Sequence, residues 1–188
     1  MDIQLELITA CINRERRAEY EMYKKTYSYL MSICIRYTSS EEEAKEALNT
    51  GFLKILNNLN KYRPEVPFKR WIRKVMINIL IDEYRKEKKH HSHIEYVGEY
   101  IETANHSEMN EAFLKINAAQ IHAFINKLPP TSKEVFNLYA IDGFSHKEIA
   151  EMIGFSEGTS KWHLSFSRQR LKEMITKLVS PGKIYEHE

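Results

Sequence analysis

The chain has 188 residues, of which 43% are apolar and 29% are charged, and its formal net charge is +2. This balance is typical of a globular protein with one domain or two small ones. No apolar run approaches the roughly 18 residues that span a bilayer, and the N-terminus lacks the basic and apolar blocks of a secretory signal. We therefore expect neither a membrane protein nor a secreted one, but a cytoplasmic protein.

The first strong periodic pattern is helical and covers residues 20–37, where apolar side chains recur every three or four residues. They are Tyr20, Tyr23, Tyr27, Leu30, Met31, Cys34 and Tyr37. Ser39 and Ser40 then precede three glutamates, an N-cap signal that predicts a new helix. Its apolar face comprises Ala44, Ala47, Leu48, Phe52, Ile55 and Leu56. Asn57 and Asn58 weaken the pattern at its end.

Pro64 and Pro67 exclude a helix across the segment KYRPEVP, and the next helix is predicted to begin near Phe68. Residues 90–110 are polar and without a clear period, so we interpret them as a linker. The two cysteines, Cys11 and Cys34, lie in helical patterns without metal spacing, and we expect them to be buried free thiols. No further ligand accompanies His90, His91 and His93 in that linker, so we expect neither a metal nor a cofactor.

Helical patterns resume near Ala112, and Thr131 is predicted to open a helix after two prolines, with Glu134 at the capping-box spacing. Ser145 and Glu148 have the same spacing before the segment HKEIAEMI. Since no run alternates with period two, the fold class is all-α. We predict two small helical domains joined by a flexible linker, with boundaries at 1–89, 90–110 and 111–180 and a tail at 181–188.

The segment EIAEMIGFSEGTSKWHL contains two helical patterns separated by three residues. Gly154 suits the left-handed exit of the first helix, Ser156 can cap the second, and small Ala150 permits a close crossing. The shared core is predicted to comprise Ile149, Ile153, Phe155 and Leu164. This pattern is typical of a helix-turn-helix, whose second helix faces the major groove of DNA.

The second helix of this pair carries cations beside hydroxyl groups, as phosphate contact requires. The cations are Lys161, Arg168, Arg170 and Lys172, and the hydroxyls belong to Thr159, Ser160, Ser165 and Ser167. A second basic block lies at residues 61–89, which contain ten basic and four acidic side chains. Residues 90–126, between the blocks, have a net charge of −4. Two basic blocks with an acidic separation predict two contacts with a polyanion.

Several motifs together resemble the extracytoplasmic-function (ECF) group of bacterial sigma-70 factors. They are LPP, GFSHKEIAEMIG, EGTSK and the set Trp71, Arg73, Asn78 and Asp82. The resemblance covers nearly the whole chain. It implies a sigma factor that directs core RNA polymerase to promoters and aids DNA opening, with no enzymatic activity. It also implies a region 2 in the N-terminal domain and a region 4 in the C-terminal domain.

In region 4, the resemblance implies contacts with the −35 element as duplex DNA. The matching residues are Ser156, Thr159, Lys161, Trp162, His163, Ser165, Phe166 and Arg168. Trp162 and Phe166 have two interpretations, packing against thymine methyl groups or against protein. Ser160 stands where the family commonly has valine, and Phe166 where arginine is frequent, so the preferred −35 sequence is not transferred from relatives.

In region 2, the resemblance implies contacts with the −10 element, partly as single strands held by cations and aromatic rings. The matching residues are Tyr62, Arg63, Arg70, Arg73, Lys74, Asn78, Tyr84 and Arg85. For Trp71, core packing is favoured over base contact, whereas for Tyr62 the two are balanced. Glu46 and Asn49 match residues that bind the polymerase clamp, while Thr50 replaces an acidic residue of the family pattern.

The partners implied are core RNA polymerase, through its β′ clamp helices and its β flap, promoter DNA in duplex and single-stranded form, and an anti-sigma factor. We expect no small-molecule substrate and a monomeric free protein. The alternative is an autonomous helix-turn-helix repressor or activator, yet such proteins usually dimerise, and the sequence contains no coiled-coil heptads. An enzyme is not favoured, because no P-loop, nucleophile elbow or clustered metal-binding carboxylates occur.

Overall fold

The computed structural model describes residues 3–90 and 118–179, and every regular element in these two ranges is helical. This confirms the predicted all-α class. The chain divides into two compact units, Met1–His93 (unit 1) and Ile94–Glu188 (unit 2).

Part of the predicted organisation falls outside the described residues. This applies to the linker from residue 91 onward, to the restart of helicity near Ala112 and to the tail at 181–188. His90 belongs to the last helix of unit 1 instead of the linker. The predicted domain boundaries therefore stay predictions.

Within residues 3–90, unit 1 forms four α-helices and one 3₁₀ turn. They are α1 (Leu5–Ile12), α2 (Arg16–Tyr37), α3 (Glu41–Asn57), the 3₁₀ turn (Leu59–Lys61) and α4 (Phe68–His90). Ser40 caps α3 as predicted, because its side chain accepts a hydrogen bond from the Glu43 amide at 3.1 Å. Three glutamates in the first turn add favourable interactions with the helix dipole. Helix α3 ends at Asn57, where the sequence pattern weakens.

The core of unit 1 is formed by the facing sides of α2, α3 and α4. Its fully buried side chains include Met22, Leu30, Ile33, Leu48, Ile55, Ile72, Met76, Ile77 and Ile81. Cys11 and Cys34 are buried free thiols, as predicted, and burial raises the pKa of Cys34 to about 12. Gly51 permits the close approach of α3 and α4, since a Cβ there would overlap the end of the Met76 side chain.

The predicted apolar face of α2 is right near its middle and wrong at its start. Leu30, Met31 and Cys34 are buried, but Tyr20 is 65% exposed. The helix begins four residues earlier, at Arg16, and buries Met22 instead. The hydroxyl of Tyr keeps an aromatic ring compatible with water, so a tyrosine-rich pattern indicates the buried side less sharply than aliphatic residues do.

Within residues 118–179, unit 2 forms four α-helices with a π-helical turn after the second. They are α5 (Ala118–Ile125), α6 (Pro130–Phe136), the π turn (Asn137–Ile141), α7 (His146–Ile153) and α8 (Glu157–Val179). The prediction that Thr131 caps α6 is wrong. Pro130 occupies the first helical position, where its missing N–H costs nothing, and Thr131 is buried inside the first turn.

Helices α7 and α8 form the predicted helix-turn-helix. Ser145 and Glu148 complete a capping box at the start of α7, and Gly154 ends this helix in the left-handed conformation with φ +89°. The Thr159 amide then donates to Ser156 Oγ at 3.0 Å, which caps α8. Ile149, Ile153 and Leu164 are buried in the shared core, and Phe155 is half-buried beside them.

None of the described helices is both long and apolar enough to span a bilayer.

Candidate nucleic-acid interface

The N-terminal half of α8 contains most of the side chains predicted to contact duplex DNA. Ser156, Lys161 and Arg168 are exposed, whereas Thr159, Trp162, Ser165 and Phe166 are half-buried. The Trp162 and Phe166 rings stack at 5.2 Å with an interplanar angle of 16°. The pair forms one apolar surface beside the cations, with part of each ring open to solvent.

His163 was predicted to contact DNA, and its position in the structure argues against this. The side chain is only 3% exposed, and its Nδ1 atom is hydrogen-bonded to Ser132 Oγ on α6 at 2.9 Å. Ser167 donates to the backbone oxygens of both Ser132 and His163. His163 therefore joins α6 to α8 inside the domain, and it does not face a ligand in this conformation.

Two of the hydroxyl groups considered for phosphate contact are buried as well. Ser160 and Ser167 lie on the same side of α8 as Leu164 and Leu171, at steps of three and four residues, and that side packs into the domain. Because Ser160 and Ser167 are polar, a prediction of the buried side from apolar periodicity does not include them. Among the hydroxyls considered for DNA contact, Ser156 is exposed and Thr159 and Ser165 are partly open to solvent.

His146, in the first turn of α7, was not predicted as a site residue, yet it contacts the cationic part of α8. Its Nδ1 atom is hydrogen-bonded to Ser160 Oγ at 2.8 Å, and its ring stacks on Tyr139 at 4.4 Å. Burial, followed by the charges of Lys161 and Arg168, lowers the pKa of this imidazole below its ordinary value. In the sequence, the feature that could have indicated this contact is the polar residue Ser160. The structure shows that its hydroxyl lies against His146 of α7.

In unit 1, a compact aromatic cluster is formed by Tyr62, in the loop before α4, and by Phe68 and Trp71 in the first turn of α4. The Tyr62 ring lies 5.2 Å from Phe68, edge to face, and 5.5 Å from Trp71. The Tyr62 hydroxyl donates to the Val66 backbone oxygen at 2.9 Å, across the loop containing both prolines. Phe68 is buried while Tyr62 and Trp71 are half-buried, so these two rings pack on protein and also present surface to solvent.

Helix α4 carries the remaining residues predicted for the −10 element. Arg70, Lys74, Asn78 and Arg85 are exposed, as is Arg63 in the preceding loop. Arg73 and Tyr84 are half-buried. The cations begin at the aromatic cluster and continue along the helix, an arrangement suited to the backbone of a single strand whose bases stack on aromatic rings.

The residues predicted to bind the polymerase clamp lie on an exposed face of α3. Glu46 and Asn49 are both exposed, and Asn49 Oδ1 accepts a hydrogen bond from the Tyr23 hydroxyl at 3.1 Å. Leu53 follows one turn later on this face and is 61% exposed, more than any other large aliphatic side chain in the described residues. The sequence prediction assigned Leu53 no role, although its helical spacing from Glu46 and Asn49 was visible.

Comparison with known families matches both units. The profile described as Sigma-70 region 2 matches residues 22–90, and the profile described as Sigma-70, region 4 matches residues 118–171. Together these segments cover more than half of the chain. The first contains α3 and α4, and the second contains α7 and α8 as far as Leu171.

Curated relatives extend the similarity beyond single domains. The ECF RNA polymerase sigma factor SigM of Bacillus subtilis is 26% identical over 163 residues, covering 86% of this chain and 95% of the relative. The ECF RNA polymerase sigma factor EcfG of Rhodopseudomonas palustris is 23% identical over 146 residues, covering 78% of each chain.

Among solved structures, a similar chain is the sigma factor RpoE in complex with the anti-sigma factor NepR from Bartonella quintana. The TM-score is 0.52 at 20% identity, covering 84% of this chain and 96% of that one. At this identity the likeness concerns the fold alone. Both region 2 and region 4 are matched, and the matches to ECF sigma factors cover most of the length of those relatives. The chain therefore belongs to the ECF group of the sigma-70 family.

Proposed function

We propose that this sigma factor uses α8 of unit 2 to bind the −35 element as duplex DNA, and α4 of unit 1 to bind the −10 element as it opens. The observation that carries the proposal is the presence of two cationic surfaces of different chemistry, one in each unit. On α8, Lys161 and Arg168 flank a stacked aromatic pair behind a capped helix start. On α4, Arg70 and Lys74 follow an aromatic cluster.

The two surfaces suit different forms of DNA. A helix whose first turn carries hydroxyls and cations fits the major groove of a duplex, where phosphates fix the register and base edges supply specificity. Half-buried rings beside cations suit single strands, because every base has a face that can stack. The proposed readers of the −35 element are Ser156, Thr159, Lys161, Trp162, Ser165, Phe166 and Arg168, without the buried His163.

The proposed polymerase contact is the face of α3 that carries Glu46, Asn49 and the exposed Leu53, with the β′ clamp helices as its partner. We assign the second contact, the β flap, to unit 2. An anti-sigma factor is a further proposed partner, supported by the similar solved sigma factor, which is in complex with one. The chain is proposed to act in the cytoplasm as an initiation factor without enzymatic activity of its own.

The decisive experiment is run-off transcription by core RNA polymerase on a library of genomic fragments, with and without the purified chain. We expect a defined set of start sites that appear only with the chain, preceded by shared −35 and −10 sequences. If core polymerase ignores the chain while the chain alone binds a duplex tightly as a dimer, the alternative of an autonomous repressor or activator replaces the proposal.

A matched pair of variants tests the assignment of α8. Lys161→Glu combined with Arg168→Glu is expected to abolish −35-dependent transcription while binding to core polymerase persists. Lys127→Glu combined with Lys177→Glu reverses two exposed cations of unit 2 that are not among the proposed contact residues, and this control should transcribe normally. Equal loss in both variants would mean that overall charge, and not this surface, governs promoter selection.

A further inference from the structure

His146 lies where α7, the π turn and α8 meet, and contacts on two sides fix its ring. The Nδ1 atom is hydrogen-bonded to Ser160 Oγ at 2.8 Å, and the ring stacks on Tyr139 at 4.4 Å with an interplanar angle of 20°. The guanidinium carbon of Arg168 lies 5.8 Å from the centre of the same Tyr139 ring. His146, Tyr139 and Arg168 therefore form one cluster, next to the proposed DNA-binding residue Lys161.

The second ring nitrogen of His146 is available to a ligand. In the part of the chain that the structure describes, Nε2 has no hydrogen-bond partner, and it is not among the atoms buried without one. Because Nδ1 is held by Ser160, the orientation of the ring, and with it the direction of Nε2, is fixed before any ligand binds. A fixed N–H donor beside two cations is suited to a phosphate oxygen.

We propose that His146 is an additional DNA-backbone ligand of unit 2, and that it takes up a proton when duplex DNA binds. Its Nε2–H donates to a phosphate oxygen, in concert with Lys161 and Arg168. This inference rests on the proposed function, because it requires α8 to be the surface that meets DNA. It adds a residue from α7, the first helix of the pair. The sequence analysis did not predict this residue to bind DNA.

The proton uptake follows from the charges that face His146. From α8 these are Lys161 and Arg168, opposed by Glu157; the π turn contributes the neutral Tyr139, and α7 itself carries Lys147 and Glu148 next to it. In the free protein, burial and the two α8 cations disfavour the protonated imidazole. Phosphates placed against those cations reverse the local field, so the protonated form becomes favourable in the complex.

The bond to Ser160 is compatible with both protonation states. A serine hydroxyl donates to the bare Nδ1 of a neutral ring and accepts from the Nδ1–H of a charged one. Protonation therefore adds a positive charge to the proposed DNA-binding surface of unit 2, while the ring stays hydrogen-bonded to α8. A valine at position 160, the residue common in the family, could not form a hydrogen bond with His146 Nδ1. Ser160 and His146 therefore form one functional pair.

The test is a pH titration of duplex affinity by the full chain, with fluorescence anisotropy of a labelled generic duplex at low salt. Phosphate contacts do not depend on sequence, so this probe needs no known promoter. Between pH 8 and pH 6 we expect wild-type affinity to rise more than that of His146→Gln, by roughly threefold to tenfold, the upper value being one proton's effect over one pH unit. The difference in affinity between the two proteins should be smallest at pH 8, where the wild-type ring is uncharged and contributes only a neutral Nε2–H donor.

Two further variants separate the roles within the cluster. Ser160→Ala should reduce the pH effect because the ring is no longer held, whereas Lys177→Ala, an exposed cation distant along α8, should lower overall affinity at most and keep the full pH effect. Circular dichroism at each pH verifies that every variant is folded. A His146→Gln profile parallel to that of the wild type overturns the inference.

Repeating the titration with the holoenzyme on a promoter from the run-off experiment separates the two proposals. If transcription starts normally but the His146→Gln and wild-type holoenzymes have the same pH profile of promoter affinity, the inference about His146 fails and the proposed function stands. If no start sites appear at all, the proposed function fails, and the generic-duplex titration still decides the role of His146.

Discussion

At the scale of single residues, Gly154 determines the path between α7 and α8. Its φ of +89° and ψ of +45° lie in the left-handed region, and a Cβ at this position would meet nothing within 4 Å. The cost of a side chain is therefore backbone strain alone. We expect Gly154→Ala to reduce the free energy of unfolding of unit 2 by about 1–2 kcal/mol. Chemical denaturation followed by Trp162 fluorescence, in a Trp71→Phe background, measures this value.

Gly158, four residues later, provides the control. It lies within α8 with no left-handed conformation, and an added Cβ would make only an ordinary contact with Ser156 Oγ at 3.6 Å. Since alanine is the better helix former by about 1 kcal/mol, Gly158→Ala should leave stability unchanged or increase it. Destabilisation of similar size at both positions would show that local crowding, and not the sign of φ, is responsible.

The imidazole of His146 predicts how the stability of unit 2 depends on pH in the absence of DNA. Burial and the cations of α8 lower its pKa in the folded state from the ordinary 6.5. The unfolded chain therefore binds more protons below that value, and stability falls as the pH is lowered from about 6.5 toward the folded-state pKa, below which this group contributes no further change. Thermal unfolding of wild type and His146→Gln at several pH values measures the effect. The difference between their midpoints should shrink or reverse upon acidification, and a constant difference would contradict the lowered pKa.

Residue types allowed some of these local features to be predicted and concealed others. Gly154 was predictable because only glycine takes a left-handed exit without strain. The burial of Ser160, His163 and Ser167 was not, because polar residues on a helix are ordinarily assigned to solvent. Here each of them has a hydrogen-bond partner inside the domain, which makes burial acceptable.

At the scale of helices, capping signals correctly located the starts of α3, α7 and α8, but they did not predict the π turn. Ser40, Ser145 and Ser156 cap their helices as predicted, since a cap is a local interaction that sequence spacing determines. The π turn at Asn137–Ile141 has no such local cause. The Asp142 amide donates to the Asn137 backbone oxygen five residues back at 2.9 Å, and no capping signal in the sequence marks this wider turn.

Helix α3 carries the prediction at this scale. Leu53 is 61% exposed and shares a face with Glu46 and Asn49, so its substitution should not disturb the core. We expect Leu53→Asp to weaken binding to core RNA polymerase about tenfold or more, because a charged group would replace an apolar side chain on the proposed contact face. Fluorescence polarisation with labelled chain and core enzyme measures the change.

Leu5→Asp is the control for this experiment. Leu5 is a comparably exposed leucine, at 53%, but lies on α1. It introduces the same charge into the same unit away from α3, and we expect normal polymerase binding. Helical content by circular dichroism should be unchanged in both variants. Equal weakening by both would attribute the effect to net charge and remove Leu53 from the contact.

At the scale of the whole molecule, function depends on how charge is distributed, because the total is close to neutral. Ten basic side chains in residues 61–89 and five in residues 157–177 fall in different units, and acidic residues predominate between them. A net charge of +2 alone would predict little attraction to DNA. The sequence revealed this distribution, but the structure was needed to separate cations that face solvent from those engaged within the protein.

Helix α4 provides both kinds of cation. Arg70 and Lys74 are exposed near the aromatic cluster, whereas the ammonium group of Lys86 lies 2.7 Å from the Glu83 carboxylate, which raises the pKa of Lys86. A cation bound to phosphate releases condensed counterions from DNA, whereas one already paired on the protein releases few. The salt dependence of promoter binding therefore distinguishes the two kinds.

We expect Arg70→Ala and Lys74→Ala each to reduce the slope of log affinity against log salt by about 0.7 to 0.9, the range between single-stranded and duplex DNA. Lys86→Ala removes the same charge from the same helix and should leave the slope nearly unchanged. Filter binding of the holoenzyme to a promoter across a salt series measures all three. A value near 0.7 for Arg70 and Lys74 would indicate contact with opened strands, as proposed for the −10 element, and a value near 0.9 would indicate duplex. If Lys86→Ala lowers the slope as much as the other two, the cations of α4 act through their summed field and not through individual phosphates.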